Sequence, residues 1–174
     1  MFAVTERLLL RPGWTEDAPA LAQAVGDREV ARNLAHVPWP YSQSDAEAFL
    51  GQPHDPARPT FLICLRSNNQ IIGGIGLSGD AEPNLGYWIG RAHWGCGYAT
   101  ETGRAVLALS DASLRLPRIK ACHALDNPAS GAVLRKLGFR ATGRKVWMAS
   151  LARGTLESLL FAREREDYAH PLAA

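Results

Sequence analysis

The run from Leu85 to Phe139 constrains this chain most. A strand pattern, a glycine-broken loop, a helix pattern, an alternating strand and a second capped helix succeed one another there. "LGYWIG" (Leu85–Gly90) reads as a strand, and Tyr98 to about Leu114 has helical spacing through Val106 and Leu109, with Gly103 as a weak point. "RIKACHAL" (Arg118–Leu125) alternates, with Ile119, Ala121, His123 and Leu125 on one face. "NPASGAVLRKLGF" opens with Asn127 as cap and Pro128 at the first helical position, and Gly138 falls just past its end. A strand–helix–strand crossover of this kind is parallel and right-handed, so both helices begin at the same end of the sheet.

The remaining segments supply strands and helices for a single domain over residues 1–174. "RLLLRP" is a short strand stopped by proline, and "TEDAPALAQAVG" a helix with Thr15 as its cap. "SDAEAFLG" carries Ser44 and Glu47 at capping-box spacing, and "NLAHVPWPYS" before it reads as a loop. "FLICLRSNNQIIGGIGL" is a hairpin turning at Ser67–Gln70, and Arg140–Ser150 with Thr155–Arg163 is a closing hairpin. The order implies an α/β (α+β) fold. A formal net charge of +2 does not call for nucleic acid as a partner. Cys64, Cys96 and Cys122 form neither a disulfide framework nor a zinc-ligand spacing, which points to a reducing compartment and no metal. No secretory leader and no bilayer-spanning segment is evident, so the expectation is a cytoplasmic protein that binds no membrane.

Two glycine patterns compete for attention. Gly74, Gly76 and Gly79 match the dinucleotide fingerprint, but another strand comes after them instead of a helix, so close packing or a bulge explains them better. Gly95 and Gly97 do lie between a strand and a helix, where bare backbone amides and the helix dipole suit a pyrophosphate. An ordinary strand–helix turn accounts for the same glycines, and no P-loop lysine is present after them. Asn127 and Ser130 open a second helix at the neighbouring strand end, so two helix mouths flank one crevice.

"TERLLLRP", "IIGGIGL", "LGYWIGRAHWGCGYATE" and "ALDNPASGAVLRKLGF", in this order, resemble the GCN5-related N-acetyltransferase (GNAT) superfamily. They are most similar to its ribosomal-protein N-terminal acetyltransferase (RimJ/RimL-like) branch. The resemblance implies a mixed, mostly antiparallel sheet of about six to seven strands, with a central splayed parallel pair and helices on both faces. It implies acetyl-CoA as cosubstrate, with its pyrophosphate on Trp94, Gly95, Cys96, Gly97, Tyr98, Ala99 and Thr100 and its pantetheine between the splayed strands. Trp94 departs from the Gln or Arg usual at the loop's first position. Along the strand, Tyr87, Trp88 and Ile89 would line the cofactor, with a backbone N–H there serving the carbonyl oxygen.

The chemistry expected is direct attack of an amine on the thioester in a ternary complex. The amine is a protein N-terminal α-amine or a small-molecule amine. Ser130, at the third helical position, is the candidate to hydrogen-bond the leaving thiolate, and Asn127 to cap its helix and bind cofactor amides. The base is less well marked, because Asn84 and Thr142 stand where relatives often carry glutamate. Glu82 is the named candidate, acting through water; the other reading is a solvated turn acid. His123 reads as a packed core residue, Glu101 as an acid serving the helix dipole, and Cys96 as incidental chemically. Trp39 and Tyr41 either line the acceptor pocket or simply cover the helix pair, and Lys136 is a candidate for a cofactor phosphate within a basic stretch that otherwise reads as a solvated face. A monomer and a homodimer both fit. The rival from another class is a non-catalytic acyl-CoA-binding or sensing module, which the missing glutamates favour.

Overall fold

The computed structural model describes residues 1–79 and 82–165. Its strands are β1 (Ala3–Val4), β2 (Leu8–Arg11), β3 (Thr60–Leu65), β4 (Ile71–Ser78), β5 (Asn84–Ile89), β6 (Arg118–Ala124), β7 (Arg140–Ser150) and β8 (Gly154–Glu164). Among the described residues they form one sheet in the order β1-β2-β3-β4-β5-β6-β8-β7, in which only β5 and β6 run parallel. Eight strands replace the six to seven expected. The addition is β1, whose Ala3 and Val4 pair with Leu10 and Leu9 across a tight turn; two residues are too few to show a periodicity. The expected reach of the domain to residue 174 includes positions outside the described residues.

Helices cover both faces. On one face α4 (Tyr98–Leu109) and α5 (Pro128–Lys136) lie over Leu8, Leu10, Ile63, Leu85, Ile119 and Phe161. On the other, α1 (Ala18–Val25) and α3 (Gln43–Leu50) cover Leu62, Cys64 and Ile71. Full burial of a side chain such as Phe161 stabilises the fold by about 1.5–3 kcal/mol. The short α2 (Arg28–Ala31) leads into the proline-rich loop before α3.

Helix starts differ from expectation by a few residues, and the caps say why. A 3-10 turn at Thr15–Asp17 precedes α1, and Asp17 accepts from the Trp14 N–H at 2.9 Å, so the cap lies ahead of Thr15. For α3 the capping box is Ser42 with Asp45, not Ser44 with Glu47: Ser42 Oγ accepts from the Asp45 N–H at 3.2 Å, and Asp45 accepts from the Ser42 N–H at 2.8 Å. Leu125 lies past the end of β6 and is exposed, whereas Ile119, Ala121 and His123 are buried as the alternation predicts.

The glycines of β4 serve packing. A Cβ on Gly74 would lie 2.6 Å from the Trp88 indole nitrogen, and one on Gly76 would lie 2.8 Å from the Thr60 hydroxyl. Gly103 likewise admits Leu137, which brings α4 and α5 together.

Candidate active site between the parallel strands

The two parallel strands barely pair. Their ladder has one register pair, Asn84 with Lys120, marked by the Lys120 N–H donating to the Pro83 carbonyl at 2.8 Å. Beyond it the strands diverge. The Gly90 N–H donates to Ile72 O at 2.7 Å, which sets the alternation on β5 and turns the backbone of Tyr87 and Ile89 toward β6. On β6 the Leu125 N–H donates to Glu157 O at 3.0 Å, which turns the backbone of Cys122 and Ala124 toward β5. Two carbonyls along this gap are taken: Ile89 O accepts from the Trp94 indole at 2.6 Å, and Ala124 O accepts from the Asn127 N–H at 2.9 Å. Trp94 is thus an anchor tying the glycine loop to the end of β5, a role the loop pattern does not reveal.

At the mouth of the gap the glycine loop enters α4. Gly95 and Gly97 adopt φ of +75° and +81°, and a Cβ on Gly95 would meet no atom within 4 Å. The loop is therefore a left-handed, open-faced backbone that glycine adopts at no steric cost. Arg7, from the start of the chain, clamps it. Its Nη1 donates to Cys96 O at 3.0 Å, its Nε to Glu101 at 2.8 Å, and its guanidinium lies 4.5 Å from the Tyr98 ring centre. Thr5 Oγ1 donates to Glu101 at 2.6 Å. Burial pulls the Glu101 carboxyl upward, but the hydrogen bonds from Thr5 and Arg7 outweigh it and hold it below its ordinary range. Glu101 is therefore more than a dipole partner. Its partners lie more than ninety positions away, beyond any local pattern.

Across the gap, the Asn127 side chain caps α5 by accepting from the Ser130 N–H at 3.3 Å. The Tyr87 hydroxyl lies 2.8 Å from Ser130 Oγ and 3.1 Å from the Ser130 carbonyl. Burial pushes the Tyr87 phenol up to about 12, with the Ser130 hydrogen bond opposing. Sequence reasoning placed Tyr87 along the cofactor but missed the meeting of its hydroxyl with Ser130. Behind Ser130, the buried ring of His123 packs under Gly131, with Nδ1 against Ala124 O at 2.8 Å.

Other candidates lie apart. Glu82 forms ion pairs with Lys120 and Arg118 at the closed end of the splay, where the strands still pair. It stands five chain steps before Tyr87 and ahead of β5, a span of up to roughly 16 Å, which sets it toward the opposite end of the gap from Ser130. Lys136 ends α5 at the opposite pole from the cap, and is exposed. The loop bearing Trp39 and Tyr41 is held near the end of β6: Ser150 Oγ donates to Leu34 O at 3.1 Å, Arg153 to Arg32 O at 2.8 Å, and Asp126 joins Arg153 and Arg32. Hydrogen bonds from Arg153 hold the Asp126 carboxyl below its ordinary range. Tyr41 is half-buried against the α1/α3 core, where Trp88 also packs, while Trp39 is exposed.

Residues 7–140 match the family model described as an acetyltransferase (GNAT) domain. The chain belongs to the GNAT acetyltransferase family. This acetyltransferase is 31% identical over 147 residues to the uncharacterized N-acetyltransferase p20 of Bacillus licheniformis, covering 80% of this chain and 82% of the relative. Its fold matches that of a ribosomal-protein-S5-alanine acetyltransferase from Vibrio fischeri with a TM-score of 0.82 at 18% identity, covering 97% and 98% of the two chains. It also matches a ribosomal L7/L12 α-N-protein acetyltransferase, solved in complex with coenzyme A, with a TM-score of 0.77 at 21% identity, covering 94% and 98%. The enzyme is an acetyl-CoA-dependent N-acetyltransferase. Among the described residues, no helix is long and apolar enough to cross a membrane.

Proposed function

We propose that this GNAT enzyme acetylates an α-amino group, at a protein N-terminus or on a small molecule, by direct attack within a ternary complex. The observation carrying the proposal is the splayed gap with Ser130 and Tyr87 meeting across it. Acetyl-CoA supplies an activated acyl carbon with a thiolate leaving group. The left-handed Gly95–Gly97 backbone, open at Gly95 and with the Arg7 guanidinium beside Gly97, suits a pyrophosphate, so the residues present fit this cosubstrate. Cys96, Tyr98, Ala99 and Thr100 complete the loop and first turn that would hold it, and Asn127 has an NH2 left to donate after capping. The Tyr87 and Ile89 N–H groups face the gap and can stabilise negative charge developing on the acyl oxygen. Ser130 O–H stabilises the departing sulfur.

The placement of Glu82 bears on the acceptor. With that carboxylate held by Lys120 and Arg118 far from Ser130, the reaction favours an amine already neutral in solution. Near pH 7.5 about a third of α-amines are neutral, against roughly one lysine in a thousand. Trp39 and Tyr41, on the loop pinned to Ser150 and Arg153, are positioned to shape the acceptor's approach. The test is calorimetric binding of acetyl-CoA followed by thiol release across N-terminal peptides, amino-acid amides and ε-amines. Faster release with α-amines supports the proposal, and Ser130→Ala is expected to lower kcat roughly tenfold or more while acetyl-CoA KM holds. Preference for lysine side chains refutes the acceptor assignment, and binding without turnover on any amine supports a sensing module instead.

A further inference from the structure

Tyr87 presents a hydrogen-bonding arrangement that the fold alone does not require. Its single hydroxyl proton has two acceptors in reach, Ser130 Oγ at 2.8 Å and Ser130 O at 3.1 Å. A carbonyl can only accept, so a proton aimed at Ser130 O leaves the Ser130 hydroxyl to donate to Tyr87. In that arrangement the serine proton is spent on the Tyr87 oxygen. The other arrangement fits the same heavy atoms: Tyr87 donates to Ser130 Oγ, and the serine proton is released to point elsewhere. The pair is a two-position rotor whose state decides where Ser130 directs its only proton.

We infer that Tyr87 is a positioning residue that turns the Ser130 hydroxyl toward the leaving sulfur and strengthens it as a donor. The inference rests on the acetyltransferase reading of the gap and extends it to the Tyr87 side chain, which touches Ser130 while the Tyr87 N–H faces the acyl oxygen. During transfer the amine nitrogen forms a bond to the acyl carbon, the carbon–sulfur bond breaks, and its electron pair stays on sulfur. The amine's surplus proton leaves to water. Neither Ser130 nor Tyr87 gives up a proton: Ser130 O–H rotates onto the sulfur, and Tyr87 O–H swings from the Ser130 carbonyl to Ser130 Oγ. Donation into Oγ polarises the serine O–H, so the two hydrogen bonds reinforce each other. Burial keeps the phenol protonated across the working range, so Tyr87 always has a proton to donate. A serine hydroxyl is too weak an acid to protonate a thiolate whose thiol has a pKa near ~8.5, which leaves hydrogen bonding as the available means of stabilisation.

The experiment reads thiol ionisation of bound coenzyme A, which needs no acceptor. Calorimetry first establishes binding. Ultraviolet difference spectra against the desulfo analogue then titrate the thiol in wild type, Tyr87→Phe, Ser130→Ala and the double variant. The expected result is a bound thiol more acidic in wild type than in Tyr87→Phe, by roughly two- to tenfold, the worth of one net hydrogen bond. Tyr87→Phe adds nothing in the Ser130→Ala background. Thermal unfolding separates a structural role: Ser130→Ala keeps its carbonyl, so the Tm loss from Tyr87→Phe persists there while the effect on the thiol vanishes. Fluorinated tyrosine at position 87, same in shape and a stronger donor, is expected to make the thiol more acidic. A thiol that titrates identically in wild type, Tyr87→Phe and the fluorinated protein overturns the positioning role alone. Absence of coenzyme A binding in the wild type overturns it together with the site assignment.

Discussion

Gly131 offers a sharp test of how the site is held. It lies inside α5, immediately after Ser130, and on helix propensity alone Gly131→Ala stabilises by up to ~1 kcal/mol. The added Cβ would fall 2.5 Å from His123 Nε2, 3.1 Å from Cε1 and 3.2 Å from Cδ2. The ring has little room to yield. It is 6% exposed, its centroid lies 5.4 Å from that of Phe161, and its Nδ1 is fixed against Ala124 O. Relief must come from lifting α5 off the sheet, and overpacking of this kind costs about 1–3 kcal/mol. With the ring unable to yield, the cost falls in the upper part of that range, about 2–3 kcal/mol, so the net loss is about 1–2 kcal/mol and the Tm is lower by roughly 2–8 °C for a chain of this size. The same lift moves Ser130 from Tyr87, so kcat falls as well. Urea unfolding at constant m-value measures the loss, and repeating Gly131→Ala in a His123→Ala background isolates its cause. There the penalty is expected to vanish, because the cavity accepts the methyl group. Gly131→Ala as stable as wild type, or an undiminished penalty without the imidazole, would refute the reasoning.

Gly97→Ala places a side chain at a φ of +81°, which costs about 1–2 kcal/mol in thermal unfolding and is expected to weaken acetyl-CoA binding in calorimetry. Unchanged affinity would remove this loop from the cofactor site. Asp17 receives two hydrogen bonds from Arg11 at 2.7 Å, and these lower its carboxyl pKa in the folded state. Its contribution to stability is therefore full above the unfolded carboxylate pKa near ~3.9 and is lost as pH falls through the lower folded value. Asp17→Asn is expected to lower Tm at neutral pH and to flatten the acid limb of the stability profile, and an unchanged limb would show that the pair is not linked to folding.

Much of the architecture is written in local pattern. The strand–helix–strand–helix run from β5 to α5 is legible because period-2 and period-3.6 hydrophobicity, a proline in the first turn and a closing glycine act within a few residues of one another. The same locality let the fingerprint at Gly74–Gly79 be discarded, since the strand pattern directly after those glycines is as readable as the glycines themselves. Helix starts were less legible: Ser42, Ser44 and Thr15 all carry a capping hydroxyl, and the path of the incoming chain selects which one caps.

Only the tertiary structure decided who meets whom at the site. Thr5 and Arg7 reach Glu101 because the turn between β1 and β2 lies against the first turn of α4, a pairing that no spacing encodes. Trp94 became an anchor because the divergence of β5 and β6 left Ile89 O without a strand partner to accept from. Glu82 sits at the paired end of β5 and β6, ion-paired with Lys120, because an extended chain advances some 3.3 Å per residue and the strands open only farther along. Tyr87 and Ser130 are separated by 43 positions, and their contact depends on how far the strands splay and how closely α5 packs on His123. The sequence determined by itself that two helix mouths open at the end of a parallel pair. The width of the gap, and hence which side chains cross it, came from packing between distant residues, because a hydrogen bond is decided by tenths of an ångström that no local preference controls.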